Sequence, residues 1–426
     1  MNNQIFNRMT KNKYLFPFIM ITSLFFMWGF VHNLDPILIP HLKRSFSLST
    51  LQASLVDSAV FIAYFVMALP AGFIMRKYGY KTGIIIGLIV FAIGSFLFIP
   101  AANTQLYVFF LGALFVIACG LTILETAANP YASLLGPPES ATFRLNFAQT
   151  FNGLAATLAP MIGVRVILIQ GATDEELSKM TESAKQLALA SEASSVKMPY
   201  LILGAIILVI AVIFIFLKLP EIIEEEEKQG EKKGIFHALR HKHLSWAVAA
   251  QFFYVGAQVC VFSFFILYAT EAAGIDQKTA GDYAGYGMGL AFLFGRIIGT
   301  SLMKFIKAES LLVIYSLINV ALCIVAITAG GILALVSVIG ISFFMSIMFP
   351  TIFSLGIKDL GRDTKLGSSL IIMSIVGGAI LPPVMGYIAD VTHNIQIGYI
   401  VPLVCFVVVL VFGLKGHKVV KRVDYE

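Results

Sequence analysis

The chain has 426 residues, of which 58% are hydrophobic and only 13% are charged. A soluble globular protein is about half apolar and about a quarter charged, so this composition excludes a soluble enzyme. The net charge of +6 comes from Lys and Arg residues at the ends of apolar segments, which is typical of membrane topology and argues against a nucleic-acid partner.

Charged and turn residues divide the sequence into twelve long apolar segments. A transmembrane helix needs about 20 such residues, whereas a β-barrel strand alternates over about 10 residues. The predicted spans are 14–39, 50–75, 82–101, 106–135, 142–170, 199–218, 244–270, 279–303, 310–328, 331–357, 366–390 and 396–415. The sequence therefore predicts an all-α membrane protein with twelve transmembrane helices in a lipid bilayer.

Basic residues are distributed unequally between the two sets of loops. The side that carries the N-terminus holds about three times as many Lys and Arg residues as the other side. We therefore expect both termini to be cytoplasmic, in a cytoplasmic (inner) membrane of the bacterial type. The charged loop 219–243 lies between spans six and seven, and it predicts two six-helix halves, 1–218 and 244–426.

Two short motifs recur at corresponding places in these halves. Span four ends with Pro130-Tyr-Ala-Ser-Leu-Leu-Gly, and span ten ends with Pro350-Thr-Ile-Phe-Ser-Leu-Gly. Leu158-Ala-Pro-Met-Ile-Gly in span five is similarly matched by Leu381-Pro-Pro-Val-Met-Gly in span eleven. Two matches in the same order indicate that the halves are parallel repeats.

Span one carries an unusual group of polar residues. Trp28, His32 and Asp35 are spaced i, i+4 and i+7, which places them on one face of a helix, and Pro36 predicts a kink after them. This face either lines a polar cavity, or Asp35 lies near the headgroups and caps the helix end.

Span four contains an acid that is far from both of its ends. The polar stripe around it consists of Thr122, Glu125, Thr126 and Asn129. An ionisable group in the bilayer costs roughly 2.5–3.5 kcal/mol and is by default a functional residue. Glu125 is either a proton-binding site, or it pairs with a basic residue such as Arg144 or Arg296. Arg296 itself lies near the end of span eight, where a structural gate or loop contact is expected.

Amide side chains follow helical spacing in spans five and seven. These residues are Asn146, Gln149 and Asn152 in span five, and Gln251, Tyr254 and Gln258 in span seven. An amide presents a donor and an acceptor together, which suits sugar hydroxyls, and an aromatic face can stack on a sugar ring. Amides also hold helices together in membranes, so both interpretations stay open.

Motifs for other functions are missing from the sequence. There is no GKS or GKT phosphate-binding loop, no HExxH, no GxSxG and no CxxC. The four cysteines, Cys119, Cys260, Cys323 and Cys405, lie inside apolar runs and are interpreted as packing residues. We therefore expect no enzyme activity, no bound metal and no cofactor.

Several runs together resemble the fucose/glucose/galactose:proton symporter family of the major facilitator superfamily. They include Leu124-Glu-Thr-Ala-Ala-Asn-Pro, Arg144-Leu-Asn-Phe-Ala-Gln-Thr-Phe-Asn, Tyr254-Val-Gly-Ala-Gln and Phe349-Pro-Thr-Ile-Phe-Ser-Leu-Gly-Ile-Lys. The resemblance covers nearly the whole chain. It implies a monomeric secondary transporter that imports a monosaccharide with protons by alternating access. Among the sugars it favours L-fucose; glucose, galactose or an amino sugar, sodium coupling, and a sugar sensor without transport are the alternatives.

The resemblance also assigns roles to individual residues. It implies that Glu125 couples transport to the proton, that Asn33, Gln149 and Asn152 contact the sugar, and that Trp28 lies in the cavity wall. Tyr254 and Gln258 join this predicted substrate site from the second half.

Span one departs from the family pattern at one point. The family has Asn-Leu-Asn-Asp where this chain has Asn33-Leu34-Asp35-Pro36, so the acid lies one position, or about 100° of helix, earlier. Asp35 takes the place of the family's second acid only if the kink at Pro36 turns it inward.

Overall fold

The structure, a computed structural model, describes residues 12–34, 55–166, 179–220 and 235–419, together with Leu38, Leu42, Ser45, Phe46 and Leu48. This part of the chain is mostly helical and contains no strand, as the sequence predicts. The helices form twelve rods, here named α1 to α12, and each rod overlaps one predicted span.

The first half contributes six rods. They are α1 (Asn12–His32), α2 and α3 (joined in Leu55–Thr104), α4 (Tyr107–Leu134), α5 (Ala141–Val166) and α6 (Lys197–Phe216). A short additional helix, Glu182–Ser194, precedes α6 in the stretch between the fifth and sixth rods.

The second half contributes six rods, several of which are built from two or three segments. They are α7 (Lys242–Ser263, continued by Phe265–Ala273), α8 (Gln277–Asp282, Tyr283–Met288 and Gly289–Leu302), α9 (Ala308–Thr328), α10 (Gly331–Met345 and Met348–Gly356), α11 (Thr364–Met373, Ser374–Val376 and Gly377–Thr392) and α12 (Ile395–Gly398, Ile400–Val411 and Phe412–Gly416).

Gly79 separates α2 from α3. The helical run that contains them is 50 residues long, more than twice what a bilayer of about 30 Å requires. Gly79 has φ 81° and ψ 170°, a conformation that side chains with a Cβ rarely adopt. The chain therefore turns at this glycine, and α2 covers 55–78 while α3 covers 80–104.

Nine helices in the described part of the chain are long and apolar enough to cross a membrane. One of them is the stretch that contains both α2 and α3. The rods outside this set are α5, which is rich in polar side chains, and α8, which is interrupted by π-helical turns at Tyr283–Met288. The full bundle therefore has the twelve predicted spans, although two of them have weak hydropathy signals.

The two halves pack together near one face of the bundle, on the side where α6 ends and α7 begins. We call this face the linker side. Three elements of the second half that lie at this side contact the first half: Thr364–Met373 packs on α2, α3 and α4, while Met348–Gly356 and Gly289–Leu302 pack on α5. The halves are thus closed against each other on the linker side.

Candidate functional site

Glu125 lies in the middle of α4 and is only 8% exposed, so its predicted burial is confirmed. The hydroxyl of Tyr64, from α2, donates a hydrogen bond of 2.6 Å to Oε1 of this glutamate. Tyr64 is also buried. The acid is therefore paired with a tyrosine of the same half, an interaction that the sequence did not indicate.

Arg144 does not pair with Glu125. Its guanidinium is fully buried and bonds to the carbonyl oxygen of Pro137 at 2.8 Å, to Oγ of Ser140 at 2.5 Å, and to the carbonyl oxygens of Ala132 and Ser133. The last carbonyl groups of a helix have no partners within the helix. Arg144 therefore caps the end of α4, and all of its described bonds stay within the first half.

Arg296 connects the two halves. It is 3% exposed, and it donates from Nε to the carbonyl oxygen of Ser346 at 2.8 Å and from Nη1 to that of Gln149 at 2.7 Å. The carbonyl of Ser346 lacks its usual helical donor because Pro350, four residues later, has no N–H. Arg296 thus joins α8 to the break in α10 and, across the interface, to α5. The expectation of a structural gate agrees with this geometry, whereas pairing with Glu125 does not.

Pro130 has the corresponding effect in the first half. It lacks an N–H, so the carbonyl oxygen of Thr126 is available to another donor. Oγ of Ser368, from α11, donates to this oxygen at 2.8 Å. Each of the two prolines of the sequence repeat therefore frees a carbonyl group. The rods that contain them, α4 and α10, both contribute to the interface between the halves.

Amide side chains continue this polar region along α5. Nε2 of Gln149 donates to Oδ1 of Asn129 at 3.1 Å, which links α5 to α4 one turn from Glu125. Asn146 lies one turn closer to the linker side, where its Nδ2 donates to Oγ1 of Thr351 in the second half at 3.2 Å. Gln149 is 5% exposed, so in this conformation the amide binds helices together.

Asn33 and Asn152 meet at Gly29. Nδ2 of Asn33 donates to the carbonyl oxygen of Gly29 at 2.6 Å. A Cβ at position 29 would lie 2.7 Å from Nδ2 of Asn152, so only glycine allows this close approach of α1 and α5. Both asparagines are partly exposed, beyond the closed part of the interface. Trp28, by contrast, is buried, and its ring packs on Phe25 at 4.2 Å.

The second half presents aromatic side chains to this region. Tyr254 is fully buried, with its ring 6.4 Å from that of Phe349, and it is close enough to Arg296 to interact electrostatically. Phe292 stacks on the guanidinium of Arg296 at 4.5 Å. Gln258 lies one turn further along α7 and is partly exposed.

The structure therefore brings Glu125, Asn129, Gln149 and Asn152 together in the first half, with Asn33 beside them, and places Tyr254 across the interface. Asp35 lies outside the described residues.

Tyr64 was missed because a tyrosine in an apolar run normally indicates packing. Its hydroxyl needs a partner when it is buried, which is the only signal that the sequence offered.

Comparison with known proteins agrees with this architecture. A profile of the Major Facilitator Superfamily matches residues 18–375. The L-fucose-proton symporter of Escherichia coli is 43% identical over 94% of this chain and 93% of its own length. The glucose/galactose transporter of Brucella abortus is 40% identical, with 98% of each chain covered. A crystal structure of a Major Facilitator Superfamily transporter in the outward conformation is 41% identical, with a TM-score of 0.88 over 94% of this chain and 99% of that one.

A bundle of twelve helices, with a polar site between two six-helix halves, defines a secondary transporter rather than an enzyme. The chain belongs to the major facilitator superfamily and, within it, to the family of fucose and glucose/galactose symporters.

Proposed function

We propose that this chain imports L-fucose together with protons, as a monomer in the cytoplasmic membrane, with both termini in the cytoplasm. The observation that carries the proposal is Glu125, a buried acid beside a cluster of amide side chains at the interface of the halves. The 43% identity to the L-fucose-proton symporter of Escherichia coli supports fucose and the proton as the transported pair.

The two halves contribute different chemistry to the proposed sugar site. Asn33, Gln149 and Asn152 supply amide donors and acceptors for sugar hydroxyls. Tyr254 and Gln258 supply an aromatic face and a further amide from α7, and Trp28 supports the wall behind Asn33. Before Gln149 can bind a sugar, its side chain must release the hydrogen bond that it now makes to Asn129.

Transport follows from alternate opening of the two sides. With the linker side in the cytoplasm, the closed interface described above corresponds to an outward-facing state. Glu125 takes up a proton from outside, and its neutral form donates to a sugar hydroxyl and lowers the cost of closing the cavity. The halves, 1–218 and 244–426, then rock about the site while the linker 219–243 connects them. Asp35 assists as a second acid.

The membrane potential can drive this cycle. One charge moving through 100 mV supplies about 2.3 kcal/mol, which corresponds to roughly fifty-fold accumulation of the sugar. No cofactor is needed, because the proton is the coupling ion.

Uptake of labelled L-fucose into proteoliposomes tests the substrate and the coupling together. Uptake is measured with an inward proton gradient, and again with a protonophore that collapses it. Accumulation that depends on the gradient, and that unlabelled fucose but not glucose suppresses, is the expected result. Accumulation that survives the protonophore and requires sodium contradicts proton coupling.

Replacing Glu125 with Gln tests the role of the acid. The amide cannot release a proton, so active accumulation should be lost while exchange of labelled for unlabelled sugar continues. Glu271→Gln is the matched control, because Glu271 is exposed in α7, away from the site. If Glu125→Gln still accumulates sugar against a gradient, the proposed proton role is wrong.

Glucose or galactose is the second candidate substrate. The relative from Brucella abortus, a glucose/galactose transporter, is 40% identical over nearly the whole of both chains, which favours this candidate almost as strongly. Accumulation of labelled galactose that unlabelled fucose does not suppress would select it and leave the role of Glu125 unchanged.

A further inference from the structure

The bond between Tyr64 and Glu125 joins two side chains that are both removed from bulk water. Tyr64 is 3% exposed, and its hydroxyl lies 2.6 Å from Oε1 of the glutamate. Hydroxyl groups approach an ionised carboxylate to about 2.5–2.7 Å, which is shorter than the usual distance between neutral groups. A distance of 2.6 Å therefore suits donation from the tyrosine to the carboxylate form of the acid.

Only one oxygen of Glu125 is occupied in this way. Among the described residues, the hydrogen bond from Tyr64 to Oε1 is the one that the acid makes. Oε2 is thus the oxygen that is available to exchange a proton and to meet a sugar hydroxyl. Tyr64 fixes the carboxyl group in the orientation that keeps Oε2 available.

Other charged or titratable groups lie on the helices that pack against α4. In the described part of the chain they are His32 on α1, Tyr64, Arg76, Lys77, Tyr78, Tyr80 and Lys81 on α2 and α3, Glu139 in the turn before α5, Arg144 in the first turn of α5, and Lys365 on α11. The side chains of Asp35 and Asp57 are outside this part.

Contacts place three of these groups away from Glu125. Lys365 lies over the ring of Tyr80, 5.3 Å from its centroid, and Tyr80 contacts Tyr131 at 5.9 Å. Tyr131 is six residues along α4, or about 9 Å from Glu125 along the helix axis. Arg144 bonds still further towards the linker side. Among the residues that the structure describes, Tyr64 is the one that hydrogen-bonds to the acid.

We propose that Tyr64 is a positioning residue for proton coupling: its hydroxyl holds Oε1 of Glu125, stabilises the carboxylate and so allows the proton to leave. This rests on the proposed role of Glu125 as the proton carrier. A hydrogen bond to the charged form of an acid favours that form, so loss of the bond makes the acid hold its proton to higher pH.

Tyr64→Phe removes the hydroxyl and keeps the ring. We expect the pH at which binding and exchange of labelled L-fucose fall to half, or of labelled galactose if that is the transported sugar, to move upward by about 1 to 2 pH units. Active accumulation should fall because proton release on the linker side is impaired, while exchange at low pH is retained. Retained exchange also shows that the variant is folded.

Tyr131→Phe is the matched control. Tyr131 lies on the same helix as Glu125, is equally buried, and donates its hydroxyl to the carbonyl oxygen of Pro220 at 2.8 Å. Its loss removes a partly buried hydrogen bond without touching the acid, so the pH midpoint should stay at the wild-type value.

A double variant separates this proposal from the proposed function. In a Glu125→Gln background, Tyr64→Phe should leave the pH profile of exchange unchanged, because no acid remains for it to act on. If Glu125→Gln behaves as expected but Tyr64→Phe has the wild-type midpoint, or shifts it equally in the Gln background, the role of Tyr64 is refuted. If Glu125→Gln accumulates sugar, the proposed function fails first, whatever Tyr64→Phe shows.

Discussion

Replacing Arg296 with methionine removes the charged group that connects the two halves on the linker side. The guanidinium donates to the carbonyl oxygen of Gln149 in the first half and to that of Ser346 in its own half. Methionine keeps a long apolar side chain in the same space. The bond to Ser346 and the stacking on Phe292 lie within the second half, so a rigid-body movement preserves them. The bond to Gln149 exists only while the linker side is closed.

The expected change in the ratio of closed to open linker side follows from the bond between Arg296 and Gln149. A hydrogen bond from a charged group contributes about 1.5–3 kcal/mol to the state in which it forms. Since Arg296 makes one such bond across the halves, the substitution should change the ratio of closed to open linker side by roughly 10- to 150-fold. The described bonds from Ser368 to Thr126 and from Asn146 to Thr351 remain, so the closed state is weakened but not abolished.

Cysteine accessibility measures this shift. The four native cysteines are buried, so they give little background with a membrane-impermeant maleimide. Ser354→Cys, at the closed interface, should react faster from the linker side when Arg296 is replaced. His32→Cys, which is exposed at the other end of α1, should react more slowly from the opposite side.

Arg144→Met provides the matched control. Its guanidinium is at least as buried as that of Arg296, but its described bonds all stay inside the first half. It should lower thermal stability without changing the labelling rates. Unchanged labelling of Ser354→Cys in the Arg296→Met protein, or an equal change in Arg144→Met, would refute the assignment of Arg296 to the interface.

Two further substitutions test close contacts. Gly72→Val should open the linker side, because even a Cβ at Gly72 overlaps Ser369 across the interface. Gly112 has open space around it, so Gly112→Val should leave the linker side closed. Equal labelling of Ser354→Cys in the two variants would contradict the role of Gly72 at the interface. Gly29→Ala places a methyl group against Asn152, and such overpacking costs about 1–3 kcal/mol. If this displaces Asn152, KM for the sugar should rise about fivefold or more while exchange remains measurable. An unchanged KM would show that Asn152 is not part of the sugar site.

The twelve spans and the burial of Glu125 were accessible from the sequence. Both depend on the cost of placing polar groups in hydrocarbon, a property of residue type and segment length that needs no knowledge of the fold. Even α5 and α8, whose hydropathy is weak, lie between clear spans and were placed correctly. The recurrence of Pro130 and Pro350 also indicated the repeat without any coordinates.

The partners of the buried polar groups were decided only by tertiary structure. Tyr64 and Glu125 are 61 positions apart, and Arg296 reaches a carbonyl oxygen 147 positions away. A tyrosine in an apolar run has the same sequence pattern whether it packs or donates, and a backbone carbonyl carries no sequence signal at all. The sequence therefore left Glu125 free to pair with Arg144 or Arg296, whereas the fold gives both arginines to carbonyl groups. Burial is local to each helix, but pairing depends on which helices the fold brings together.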